Sequence, residues 1–81
     1  MLESQAIEIV MKIRAACPKW FVDEYIHAEW QREFEEIATT EFDFVWGIIE
    51  VALSQQADGY PPNLKRLRFL IGSELGNLER S

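Results

Sequence analysis

The chain has 81 residues, 48% of them apolar and 12% aromatic, which suits one small domain with one modest core and argues against disorder. Its single cysteine, Cys17, rules out an internal disulfide, so a reducing cytoplasm is expected. The N-terminus lacks the basic region and unbroken apolar stretch of a signal peptide, and no apolar run is long enough to span a membrane.

The net charge of −6 is unevenly spread. Residues 21–50 carry nine acids and one base, Arg32, whereas the flanking segments are each close to neutral. Duplex binding needs clustered Lys and Arg to displace counterions, so this distribution argues against direct nucleic-acid binding and favours a basic protein partner.

Ala6, Ile7, Val10, Ile13 and Cys17 recur at steps of three and four, which predicts a helix from about Ser4 to Ala16, capped by Ser4 and stopped at Pro18. After the linker Lys19-Trp20-Phe21-Val22, Asp23 is the expected N-cap of a second helix over 24–38. That helix carries Ile26, Trp30, Phe34 and Ile37 on one face. Thr39 and Thr40 break it, and Thr40 with Asp43 forms an approximate capping box.

The third helix is expected over 41–57. Its apolar residues cover well over half of the helical circumference: Phe42, Val45, Ile49, Ala52 and Leu53 on one side, Phe44, Ile48 and Val51 extending it. So wide an arc predicts a central helix, the most buried of the set, ended by a left-handed Gly59. Tyr60-Pro61-Pro62 then forms an extended strut, because each proline fixes φ and biases the residue before it away from helix. Asn63 caps a short fourth helix over 64–71, with Leu64, Leu67, Leu70 and Ile71 as its apolar face and Gly72 as its stop. The tail, 73–81, holds Leu75 and Leu78 and is expected to fray. The fold class expected is all-α: a compact single-domain bundle of three main helices plus a short fourth.

Catalytic chemistry finds little support. His27 is the only histidine and Cys17 the only thiol, and neither has a partner that the sequence identifies. There is no zinc-ligand spacing, glycine-rich phosphate loop or nucleophile elbow, so no enzyme activity, metal or cofactor is expected. Three features suit recognition instead. Glu29, Glu33 and Glu36 line one flank of the second helix; a solvated face is the plain reading, and docking to a basic partner is the functional one. Lys65 and Arg68 share a face of the fourth helix, beside the junction at Tyr60. Trp20 and Phe21 fall outside the helical periodicity; they fold over the core or, if exposed, anchor an interface.

The segments Ala15-Ala16-Cys17-Pro18-Lys19-Trp20-Phe21, Trp30 with Phe34, and Tyr60-Pro61-Pro62-Asn63-Leu64 occur in this order across about Ile9 to Ile71. That layout resembles the phage helicase loader-and-inhibitor family and is similar to the ordered part of phage lambda replication protein P and its relatives. The Tyr-Pro-Pro junction is its distinctive element. The resemblance implies a phage or prophage replication accessory domain in a bacterial host cell. Such a domain binds a replicative hexameric helicase, or another replication protein, and delivers it or holds it inactive without catalytic residues. The relatives continue into an extension important for engaging the helicase. Two other functions fit the residues: a small acidic inhibitor of a host nucleic-acid enzyme, and a homodimerisation module that covers spare apolar surface.

Overall fold

Four helices form the protein: α1 (Glu3–Ala16), α2 (Glu24–Glu35), α3 (Phe42–Ser54) and α4 (Leu64–Arg80). The structure, a computed structural model, describes the backbone of residues 1–56 and 58–80 and the side chains of these as far as Asn77. The fold is all-α, as expected from the periodicity. No helix among the described residues is long and apolar enough to cross a membrane.

Helix α1 begins one residue earlier than expected. Leu2, not Ser4, is its N-cap, and the Leu2 N–H donates to Gln5 Oε1 at 3.1 Å. The same Gln5 side chain donates through Nε2 to the Thr40 carbonyl at 3.0 Å, which ties the start of α1 to the α2–α3 connection. The Met1 ammonium donates to the Glu35 and Ile37 carbonyls, placing a positive charge at the C-terminal end of α2, where the helix dipole favours it.

Asp23 caps α2 as the sequence predicts; its Oδ1 accepts from the Ile26 N–H at 2.8 Å. The helix ends at Glu35 rather than Ala38, yet Ile37 still reaches the core from the turn that follows. The expected Thr40–Asp43 capping box does not form. Glu41 is the N-cap of α3 without a side-chain bond, and Thr39 Oγ1 instead accepts from the Glu41 N–H at 3.1 Å. Helix α3 ends at Ser54, short of the boundary expected at 57, which itself lies outside the described residues.

The turn after α3 brings its own constraint. Gly59 has φ +84°, but it lies beyond the helix end and serves the turn rather than the cap. Its carbonyl accepts from the Lys19 N–H at 3.2 Å, joining the α3–α4 connection to the α1–α2 linker. A Cβ at position 59 would stand 2.9 Å from Lys19 Cγ, so glycine is required by dihedral and by space. Within the Tyr60-Pro61-Pro62 segment Pro62 is buried, and Asn63 Oδ1 accepts from the Lys65 N–H at 2.8 Å, the expected cap of α4.

Helix α4 is the longest, with 17 residues, not the short element expected. Gly72 does not stop it, because its φ stays in the ordinary negative range and Leu75, one turn on, packs against the core. The segment expected to fray, 73–80, is helical; the Leu78 side chain and Ser81 lie outside the described residues.

The helices pack as a ring: α1 rests on α2 and α3, and α4 rests on α3 and α2. One core runs through it, built from Ala6, Ile9, Val10 and Ile13 of α1, Trp30 and Phe34 of α2, Val45, Ile49 and Ala52 of α3, and Leu67 and Ile71 of α4. Trp20 lies over this core with its ring 4.6 Å from that of Trp30, centroid to centroid. The expected order of burial holds in part. Among the described residues α1 supplies four buried positions and α3 three. Yet α3 has the smaller share of exposed positions, five of 13 against nine of 14 in α1, and Val51 is the part of its apolar arc that faces solvent.

Candidate functional site

The uncovered part of α3 forms one wall of a groove against α4. Its two edges meet different fates. On the α1 side, Lys12 Nζ lies 5.8 Å from the Phe42 ring centroid and 5.2 Å from that of Trp46, and the Lys12 stem closes the seam. On the far side α3 faces α4 across the groove. Phe44, Ile48 and Val51 project there at steps of three and four, and Leu70 of α4 completes the floor. The groove is open to solvent along its length and has a volume of about 560 Å³.

Exposure separates this surface from an ordinary helix face. Val51 is 59% exposed, and Phe44, Ile48 and Leu70 are half-buried, each with an apolar flank toward water. Phe69, on the outer side of α4 next to Leu70, is 73% exposed. Gly47 lies in the α3 wall at mid-groove, and a Cβ there would meet no atom within 4 Å. Glycine in a helix interior costs about 0.5–1 kcal/mol relative to alanine, so packing within the fold gives no reason for it. Charges close the two ends. Asp43 and Glu74 lie toward the start of α3, and Arg66 lies beside Gln55 at the other end.

The residues singled out from the sequence do not converge on one site. Glu29 is exposed on the outer face of α2, and Glu36, expected on the same flank, is exposed at the C-cap because the helix ends at Glu35. Glu33 is turned toward α4, where its Oε2 lies 3.4 Å from Arg68 Nε. The acidic flank and the basic helix, expected as separate surfaces, thus meet in an ion pair. The Arg68 Nε is buried and no acceptor is aligned with its N–H, so Glu33 supplies charge rather than a directed hydrogen bond. A half-exposed pair of this kind contributes about 0–1 kcal/mol. Lys65 points to solvent.

Trp20 packs on the core, whereas its neighbour Phe21 is 78% exposed, and Tyr25 and Tyr60 also face water. Of the aromatic pair, Phe21 alone has the exposure an interface anchor requires. Cys17 is a buried free thiol, its pKa raised first by burial and second by the Asp58 carboxylate, which suits a small hydrophobe rather than a nucleophile. His27 borders a shallow depression with Arg14, Val22, Asp23 and Glu24.

The groove was legible in the sequence as an excess: α3 has more apolar circumference than its two neighbours can cover. Reading that excess as burial located Phe44, Ile48 and Val51 inside the protein; Phe44 and Ile48 do pack partly against the core, and Val51 is left exposed. Phe69 had no such signal, being a single apolar residue off the main face of its helix.

Comparison with protein-family models, with curated proteins and with solved structures finds no match to this chain.

Proposed function

We propose that this protein is a non-enzymatic protein-binding module that docks its partner through the α3–α4 groove. The observation that supports this reading is the row Phe44, Ile48, Val51 and Leu70, an apolar strip about two helical turns long with a polar rim. An amphipathic helix presenting anchors at steps of three and four fits such a surface. The acidic face of α2, with Glu29 and Glu36 exposed, has a separate part in this reading. It steers a basic partner and raises the association rate rather than the affinity.

The partner class rests on the resemblance to the phage helicase loader-and-inhibitor family. On that reading the partner is a replicative hexameric helicase, and the compartment is the cytoplasm of a bacterial host. The test is hydrogen exchange of the protein alone and with a purified replicative helicase. Slowed exchange over residues 44–55 and 66–74 is the expected result. Val51→Glu, an exposed change that spares the core, is expected to weaken binding roughly tenfold or more by placing a charge against apolar surface. No binding would refute the helicase as partner. Binding that protects another surface and ignores Val51→Glu would refute the groove.

A further inference from the structure

We infer that in the free protein the α3–α4 groove is occupied by a second copy of this chain, docked antiparallel about a two-fold axis near Gly47. The inference rests on the reading of the groove as a protein-docking surface and names its occupant when no other partner is present.

Charge selects the orientation of the two copies. The groove carries Asp43 and Glu74 toward one end and Arg66 at the other. A two-fold axis perpendicular to the groove brings the acidic end of each copy against the basic end of its mate. The Asp43–Arg66 complement is then made twice. An axis along the groove would set like ends together and bring Asp43 against its own copy. The spacing agrees with the first arrangement. Asp43 and Gln55, the neighbour of Arg66, are separated by twelve positions of helix, about 18 Å, and the midpoint falls within a turn of Gly47 and Ile48.

The remaining surface argues the same way. Two copies of net charge −6 repel each other, most strongly through α2, where Glu29 and Glu36 are exposed. At the groove the charged residues Asp43, Glu74 and Arg66 pair crosswise around an apolar floor, with Glu50, exposed within a turn of Gly47, the one further carboxylate near the axis. Gly47 offers no side chain at the crossing, so two α3 helices can approach closely there. Glycine, unexplained by packing within one chain, is explained by contact between two.

The test uses sedimentation equilibrium on the full chain from about 1 µM to 1 mM, a range that captures weak and tight self-association. The expected result is a reversible monomer–dimer equilibrium. Asp43→Arg and Arg66→Glu, both at exposed positions, are each expected to weaken the dimer roughly tenfold or more by setting like charges together twice. Mixed in equal amounts, the two variants are expected to recover wild-type affinity, because every contact in the mixed dimer again pairs opposite charges. Circular dichroism checks that each variant keeps its helix content. A monomer throughout the range, or a dimer that neither substitution weakens, would overturn the inference. So would two weakened variants that do not rescue each other. A monomeric protein whose groove is still protected by the helicase would overturn this inference and leave the helicase-binding reading standing. A groove-mediated dimer that ignores the helicase would do the reverse.

Discussion

Replacing Gly47 with alanine should make the protein more stable, against the usual direction for a core-domain substitution. Position 47 lies near the centre of α3, six residues from the N-cap Glu41 and eight from the C-cap Gln55, so the full helical propensity difference applies. The added methyl meets no atom within 4 Å, so no steric cost opposes the gain. Its conformation is not left-handed, so alanine adopts it without strain. The expected gain is about 0.5–1 kcal/mol, part of it through the reduced entropy of the unfolded chain. For a domain of this size that corresponds to a rise of roughly 2–8 °C in Tm. Urea unfolding followed by circular dichroism measures it, at a concentration where sedimentation shows both proteins to be monomeric. A destabilised Gly47→Ala would mean that the position is packed against something within the monomer, and the description of the groove as open at its centre would fail. The same variant run at high concentration should show the opposite balance, a more stable monomer and a weaker dimer.

Other substitutions probe the core, the turn and the thiol. Ile49→Ala removes a fully buried side chain from the middle of α3 and should cost about 2–5 kcal/mol in chemical denaturation; a loss under roughly 0.5 kcal/mol would place Ile49 at the surface. Gly59→Ala forces a Cβ to within 2.9 Å of Lys19 Cγ at φ +84°, and a loss of about 1–3 kcal/mol is expected, with a stability equal to wild type contradicting the turn geometry. Burial and Asp58 hold the Cys17 thiol above its ordinary value of 9.0, so the unfolded chain ionises first as pH rises. Stability should be unaffected by this group below about pH 8.5 and decline above it, and Cys17→Ala should flatten that decline in pH-dependent unfolding.

Local chemistry accounts for what could be read from the chain. Asp23 and Asn63 were legible as helix caps because an N-cap acts within its own first turn, and both make the expected bond. The four helices were legible because an apolar step of three and four turns one face inward whatever lies opposite. Boundaries were less so. Gly72 looks like a stop only until Leu75 is seen to find the core, and the gain from packing the extra turns outweighs the propensity of a glycine. Ser4 gave way to Leu2 as the cap of α1 because Gln5 bonds both to the Leu2 N–H and to Thr40, a contact 35 residues away.

The candidate site was half legible. Periodicity counts how much apolar surface a helix has, but the number of neighbours decides how much of it is covered. By itself, the sequence determined the class of the fold, the helical caps, the strut at Pro61-Pro62 and the surplus of apolar residues on α3. Tertiary structure alone decided where that surplus went. A ring of four helices gives α3 two neighbours, Lys12 covers its seam with α1, and on the far edge beside α4 Phe44 and Ile48 are half-buried and Val51 stays exposed. It also joined Glu33 to Arg68 across α2 and α4, because which charges meet depends on how helices distant in sequence are set side by side.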